Sequence, residues 1–325
     1  MIRVGLVGFG LAGSVFHAPL IRAAERLDLA AVMTSRDLPG AVREFGALLE
    51  RSELVVIASP HPTHFPLATA ALEAGKHVVI DKPFTVTSKE AEALIAVAAE
   101  RKRLVVPFHN RRWDGDFLTV AKLLPRLGDI SLFEARWDRF RPQLREGWKE
   151  DPEQAAGLLI DLGPHLIDQA LRLFGPPDTV RADVLAQRPG SRVDDYFELT
   201  LSYGAMRAVL SASSLVAEPR PRFAVHGTGG SFVKFGLDPQ EAELKAGVDP
   251  HEAGRDARDG ILTLPDGTRE TVPTERGRYL DFYDAMAAAV LDRAPVPVEA
   301  ADARDGLRII EAARVSSAEG RVIPL

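Results

Sequence analysis

The chain has 325 residues, room for two domains of ordinary size, and its 46% hydrophobic and 26% charged residues are a globular balance. Its formal net charge is -6 and its basic residues are dispersed, so charge gives no support to a nucleic-acid partner. It contains no cysteine, which excludes disulfides, thiol catalysis and cysteine-ligated metals and fits the reducing cytoplasm expected for it.

The first element, IRVGLVG (2–8), is β-branched and apolar between glycines and predicts a buried parallel strand. A helix is expected over 12–26, a second strand over 27–35, a short helix over 38–50 and a third strand over 54–60. Then come a helix over 66–76 stopped by Gly75, a strand over 77–81, an amphipathic helix over 88–102 with Ser88 as N-cap, and a strand over 104–109. Strand and helix alternate throughout, which predicts a doubly wound parallel sheet of the Rossmann type.

After about residue 117 the rhythm changes. Strands are expected at 130–140, 179–188, 196–204, 207–216 and within 222–235, several with period-two alternation, and SYGAMR predicts a tight hairpin. Helices fall at 164–174, 277–293 and 301–318. The expected division is a dinucleotide-binding domain over 1–117 and, over 118–325, an α+β domain with a largely antiparallel open sheet. The opening MIRVGLVGFG has too short an apolar stretch and the wrong flanks for a secretory signal. No apolar run is long enough to span a membrane, so no membrane role is expected.

GFGLAG (8–13) matches G-x-G-x-x-G between a strand and a helix, the context that gives this pattern its meaning. Gly8 permits the tight turn, Gly10 lets a pyrophosphate approach the backbone, and Gly13 lets the helix pack close to the sheet. Phe9, Leu11 and Ala12 lie on the same loop and count with it as cofactor contacts. The bland alternative is a tight turn with no ligand. At the end of the second strand the chain reads Thr34-Ser35-Arg36, where an NAD site would place an acid for the ribose 2′-hydroxyl. Two hydroxyls and a guanidinium suit a 2′-phosphate, so NADP(H) is preferred, with NAD(H) open if Arg36 is solvated and Asp37 holds the ribose.

VVIDKPF (78–84) carries a strand into Asp81, Lys82 and Pro83. In open α/β sheets ligands bind beyond the strand carboxyl ends, so Lys82 is expected near the cofactor, able to bond a substrate oxygen, with Asp81 beside it. In DLGPH (161–165), Pro164 suits the first turn of a helix, which would put His165 near a helix N-terminus, where the dipole keeps the ring neutral. Asp161, four residues earlier, shares a face with His165 if the turn is helical. Taken singly, a solvated lysine, a core histidine and a capping aspartate are the ordinary explanations. The three together point to catalysis.

These stretches resemble the Gfo/Idh/MocA oxidoreductases, which use NAD(P), over essentially the whole chain: the glycine loop, ALEAGKHVVIDKP (71–83), DLGPH, and the region from RYLDFYDAM to EAARVSSAEGRVIPL. The family's Glu-Lys-Pro signature appears here as Asp81-Lys82-Pro83. FHAPLI (16–21), FHNRRWDGDF (108–117), DRFRPQ (138–143) and YGAMRAVL (203–210) resemble a narrower branch of NADP-dependent scyllo-inositol dehydrogenase-like proteins and sugar-type reductases. The resemblance implies that His165 is a general base on a substrate hydroxyl, that Lys82 steadies that oxygen, and that Asp161 positions the site. It also implies hydride transfer with a polyol, cyclitol or sugar-like small molecule, a homodimer or homotetramer, and a cis bond before Pro83. Between strands two and three this chain is shorter than is typical of the family, compressed to EFGALLERSEL (44–54).

Asn110, Arg111 and Trp113 in FHNRRWD, and Arg139 in DRFRP, are candidates for substrate contact; the alternative is a hinge packed by Trp113 and salt-bridged by the arginines. In SPHPTH (59–64), Ser59, Pro60, His61 and His64 follow the third strand and are expected to line the cofactor side. The two histidines lack a carboxylate or third histidine, so no metal is expected. His17 carries no clear signal beyond its place after the glycine loop. Two rival functions stay open: a non-redox enzyme of glycosidase type using transient NAD oxidation, and a nucleotide-binding redox sensor.

Overall fold

The structure is a computed structural model, and it describes residues 1–144 and 156–325. In chain order the elements begin with β1 (Ile2–Val7), a π-helical turn (Ala12–His17), α1 (Ala18–Ala23), β2 (Leu27–Met33), α2 (Phe45–Arg51) and β3 (Leu54–Ile57). There follow α3 (His64–Glu73), β4 (His77–Ile80), α4 (Ser88–Arg101), β5 (Val105–Pro107), α5 (Gly115–Leu123), β6 (Ile130–Asp138) and α6 (Leu158–Phe174). The rest are β7 (Thr179–Leu185), β8 (Tyr196–Tyr203), β9 (Met206–Ser213), β10 (Phe223–Gly227), β11 (Gly230–Lys234), α7 (Gln240–Lys245), β12 (Gly260–Thr263), β13 (Arg269–Val272), α8 (Leu280–Asp292), α9 (Ala300–Glu319) and β14 (Ile323–Pro324). Among the described residues no helix is long and apolar enough to cross a membrane.

Two compact units result. The first comprises Met1–Trp113, Pro239–Gly254 and Arg278–Arg304. Its sheet has the order β2-β1-β3-β4-β5, every pair parallel. The apolar runs of β3 and β4 are buried because helices cover both faces of such a sheet. Later chain completes this core: Tyr279, Phe282, Tyr283 and Met286 pack with Val4, Leu6, Leu20 and Phe108. Arg111 ties α7 to the unit, donating to Glu241 Oε2 at 2.5 Å and to the Tyr279 hydroxyl at 2.5 Å.

The second unit comprises Asp114–Asp238, Arg255–Gly277 and Asp305–Leu325. Its nine strands run β13-β12-β11-β10-β6-β9-β8-β7-β14. Only β6 and β9 pair in parallel among them. In β6, Phe133, Ala135 and Trp137 alternate inward, which is the period of a half-covered strand. The α6 helix lies against β6, β8 and β9. Ser316 and Ser317 of α9 accept from the N–H groups of Ala182 and Val184 in β7 at 3.0 and 2.9 Å. The fold class is therefore the expected pairing of a parallel Rossmann sheet with a largely antiparallel α+β unit.

Local differences have identifiable causes. The α6 helix starts at Leu158, not near Pro164, because Asp194 caps it: its carbonyl and carboxylate accept from the N–H groups of Leu158 and Leu159 at 2.8 and 2.6 Å. Gly157 enters at φ +117, where an added Cβ would lie 2.3 Å from Asp194 Oδ1. Pro164 thus sits inside the helix and deprives the Ile160 carbonyl of its usual donor. The N-cap of α4 is Thr87 rather than Ser88, in a capping box with Glu90 that contributes about 1 kcal/mol. The helix expected over 38–50 is confined to α2, since Val42 bridges Met33 of β2 instead. The stretch 222–235 is a hairpin, β10 and β11, and the sequence reading missed α5, β12, β13, β14 and α7.

Burial alone would raise the Glu241 carboxyl, but the charges of Arg111 and Lys245 and their hydrogen bonds bring it down to about 2 from an ordinary 4.5. Its folded-state pKa is depressed, so the stabilisation is present above pH 4.5 and is lost as pH falls toward 2. Allowing for partial exposure, it amounts to roughly 1–2 kcal/mol. In urea titrations the stability gap between wild type and Glu241→Gln should be open at pH 7 and narrow steadily below pH 4.5; a gap independent of pH would contradict this.

Candidate active site

The carboxyl ends of the parallel strands lie along one edge of the first unit. The backbone ladder continues past each strand: Gly8 N–H donates to Met33 O, Ala58 N–H to Val7 O, Asp81 N–H to Ile57 O and Phe108 N–H to Ile80 O, all at 2.8–2.9 Å. This aligns the glycine loop, Thr34, Ser59 and the Asp81-Lys82 pair on one edge. The strand order reverses at β1, with β2 on one side and β3 on the other, which is where ligands bind in open α/β sheets.

The glycines of the loop differ in what they permit. Gly8 has φ +93, and a Cβ there would lie 2.4 Å from Ala58 O. A Cβ on Gly13 would lie 2.2 Å from Gly8 O. Both are required by the protein's own packing. Gly10 has nothing within 4 Å of its missing Cβ, is exposed, and so leaves the backbone open to something from outside. Leu11 is exposed, while Phe9 and Ala12 are half-buried. The following helix starts with a π turn in which Ala18 N–H reaches Gly13 O. The donor groups of such a first turn are not consumed by the helix itself, and they favour an anion. An open approach beside these donors fits a dinucleotide pyrophosphate.

Beyond β2, Arg36 N–H donates to Thr34 Oγ1 at 3.1 Å, and Ser35 and Arg36 are exposed. Arg43 donates to the Thr34 carbonyl, so a second guanidinium stands on this turn. Sequence reasoning missed it, because the Met33–Val42 bridge that carries Arg43 there has no local signature.

After β3, Ser59 Oγ lies 2.6 Å from Thr63 Oγ1, Pro60 is exposed and His61 is buried. His64 is buried too, its ring nitrogens 2.8 Å from Pro83 O and 2.9 Å from Ser59 O. Its polar atoms are thus engaged within the protein, where burial pushes its pKa down. The Lys82–Pro83 bond is cis. Asp81 Oδ1 accepts from the Lys82 N–H at 2.9 Å. Asn110 and Arg111 are buried and Trp113 is half-buried, edge-on to Phe282 with centroids 5.7 Å apart.

In the second unit, α6 brings Asp161 and His165 onto one face, four residues apart. Arg139 Nη1 lies 3.8 Å from Asp161 Oδ2. His165 is the eighth residue of α6. That corrects the dipole account of a neutral ring, because the dipole acts mainly in the first turn. The surroundings of the ring are aromatic and cationic instead. Trp137 stacks on His165 with centroids 5.8 Å apart, and the guanidiniums of Arg139 and Arg222 lie 5.8 and 5.3 Å from the indole centre. Arg222 is itself held by Gln169 Oε1 at 2.8 Å. The alternation of β6 could have marked Trp137 as inward-facing; Arg222 and Gln169 had no comparable signal. Lys82 belongs to the first unit and Asp161 and His165 to the second. Among the described residues no group of three His, Cys, Asp or Glu side chains could hold a metal ion.

Comparison with known proteins places this geometry. The chain is 44% identical to the uncharacterised oxidoreductase YdgJ of Escherichia coli, over 95% of this chain and 94% of that one. It is 41% identical to the Bacillus subtilis scyllo-inositol 2-dehydrogenase (NADP(+)) IolW, over 100% of this chain and 96% of that one. The solved structure of Bacillus subtilis YvaA superimposes with a TM-score of 0.96 at 41% identity, covering 100% of this chain and 98% of that one. Residues 2–109 match the oxidoreductase family's NAD-binding Rossmann fold, and residues 122–325 match its C-terminal alpha/beta domain. With both halves matched and relatives similar along its full length, the chain belongs to the Gfo/Idh/MocA family and is an NAD(P)-binding oxidoreductase.

Proposed function

We propose that this oxidoreductase is an NADP(H)-dependent dehydrogenase or reductase acting on a CH–OH/C=O group of a polyol, cyclitol or sugar-like substrate. The observation that carries the proposal is the Asp161–His165 pair, one helical turn apart on α6 with Arg139 on the acid, in a chain that also presents Lys82 at a strand carboxyl end. A relative named as an NADP-dependent scyllo-inositol 2-dehydrogenase, similar along the full chain, supports both the substrate class and the cofactor.

In this proposal His165 takes the proton of a substrate hydroxyl as general base, and returns it in the reverse direction. Asp161 orients the ring, and the Arg139 guanidinium, 3.8 Å from its carboxylate, holds Asp161 in place. Trp137 fixes the ring plane by stacking. Lys82 supplies positive charge for an oxygen on which negative charge develops. Asn110, Arg111, Trp113 and Arg139 are also our candidates for substrate contact, with Arg111 and Trp113 engaged as well in the packing of their own unit.

Residues 8–13 would hold the pyrophosphate, Ser59 and Pro60 the nicotinamide side, and Thr34, Ser35 and Arg36, joined by Arg43, the 2′-phosphate. Bound NADP supplies the nicotinamide carbon that accepts or gives the hydride. Functionally, residues 1–117 are proposed to carry the cofactor and 118–325 the substrate and self-association into a dimer or tetramer, for which the open nine-stranded sheet is the candidate surface.

Two experiments test this. In fluorescence titrations the protein should bind NADPH at least about tenfold tighter than NADH. Arg36→Ala and Arg43→Ala should each remove much of that preference. Gly10→Ala should melt like wild type, since the new methyl meets no atom within 4 Å, yet weaken NADPH binding. Equal affinity for both cofactors would contradict the 2′-phosphate assignment. On a panel of polyols, cyclitols and their ketones, Lys82→Ala and His165→Ala should each lose a factor of about 10² or more in turnover while still binding cofactor. Near-normal turnover in either would contradict its assigned role.

A further inference from the structure

Three side chains from distant stretches of the chain meet behind Lys82, all within the first unit. His17 closes the π-helical turn and is fully buried. Tyr283 comes from α8 and is also fully buried. Asp81 follows β4. His17 Nδ1 lies 2.6 Å from the Tyr283 hydroxyl, and His17 Nε2 lies 3.8 Å from Asp81 Oδ1. Asp81 Oδ1 accepts from the Lys82 N–H at 2.9 Å.

The chemistry of these atoms fixes a direction. A carboxylate can only accept, so the ring proton belongs on Nε2, the nitrogen facing Asp81. Nδ1 then accepts from the Tyr283 hydroxyl. Burial raises Tyr283 well above its ordinary range, and the Asp81 charge adds to that, so the hydroxyl keeps its proton. Burial also works to raise Asp81, but His17, then Lys82 and His64, bring its carboxyl below the usual range, so it is an anion at neutral pH. The separation of 3.8 Å is longer than a hydrogen bond and leaves a charge–dipole attraction between ring and carboxylate.

The surroundings make this arrangement specific. Phe108 lies 4.4 Å from the His17 ring centre, and Phe282 lies 5.3 Å from that of Tyr283. Water is excluded there, and polar atoms in an apolar wall are costly unless paired. On the far side of the cis bond, His64 Nδ1 lies 2.8 Å from Pro83 O. The backbone on both sides of the Lys82–Pro83 bond is therefore held by buried polar groups.

We propose that Tyr283 and His17 are positioning residues that hold the Asp81 carboxylate on the Lys82 N–H and so fix the backbone from which the Lys82 ammonium is presented. This rests on the role of Lys82 proposed above. Tyr283 lies about 200 residues downstream of Lys82, so α8 contributes to the site without touching a reactant.

The test uses the full chain carrying Tyr283→Phe, His17→Asn, His17→Gln or Asp81→Asn. Tyr283→Phe keeps the ring and removes only the hydroxyl, and Asp81→Asn keeps shape and removes charge. The first readout needs no substrate: backbone amide exchange at Lys82, compared with Val56 in the core of β3. Interrupting this chain of polar contacts should speed exchange at Lys82 by about tenfold relative to Val56 in Tyr283→Phe, His17→Asn and Asp81→Asn. His17→Gln, which can place an amide nitrogen near the Nε2 position, should change it less than His17→Asn. NADPH affinity should stay within about twofold, while turnover of scyllo-inositol with NADP+ falls by about tenfold. Exchange at Lys82 that merely follows Val56 in both Tyr283→Phe and His17→Asn would overturn the proposal, and so would faster exchange with unchanged turnover. A wild-type protein without turnover on any polyol or cyclitol would overturn the function proposed above, and the exchange at Lys82 would still decide this one.

Discussion

Between the end of β1, the end of β3 and the first helix there is no room for a methyl group. A Cβ at Gly8 or Gly13 would come within 2.4 Å of a backbone oxygen, closer than non-bonded atoms tolerate. The tight crossing has several consequences. It starts the helix at the strand's carboxyl end, so the helix N-terminus faces the edge where ligands of such sheets bind. It leaves Gly10 at the outer rim, with open space where a side chain would stand. The chain leaves the crossing through a π-wound turn that ends on His17 in the interior. π-Wound turns are uncommon and recur near functional sites. Cofactor loop and buried histidine are thus two results of one packing constraint.

Elsewhere, charged groups are placed by burial and pairing. Arg111 and Glu241 bind late chain onto the first unit, and the pair persists only because each partner offsets the desolvation of the other. Arg139 stands 3.8 Å from Asp161, and Arg222 is carried inward against Trp137 and Gln169. A histidine two turns into a helix gains little from the dipole. An indole stacks on its ring, and the helix puts an acid on the same face one turn earlier.

Much of this was legible in the sequence, for physical reasons. The apolar runs of β1, β3 and β4 can only be strands of a sheet covered on both faces, and the glycine spacing between strand and helix has few uses. Asp161 and His165 were legible because spacing alone puts them on one face once a helix forms. The start of that helix was not, because its cap, Asp194, lies 35 residues beyond Leu159, whose N–H its carboxylate accepts. Proline marks a helix start when capping is local and misleads when the cap comes from elsewhere. Arg43, Arg222 and Tyr283 were missed for the same reason: each acts through a long-range contact with no local period. The strands β12 and β13 were missed because four residues each, bounded by turns, carry too little alternation to register.

Direct hydride transfer between a nicotinamide and a carbinol carbon is the step on which the proposed function turns. It is tested most directly by giving the protein NADPH deuterated at the transferring C4 position, together with the ketone of scyllo-inositol or a related keto-sugar, and locating the label by mass spectrometry and NMR. One deuterium is expected on the new carbinol carbon, from one face of the nicotinamide, with NADP+ formed in equal amount. Reduction without label on carbon, or turnover that leaves the NADPH unoxidised, would contradict it.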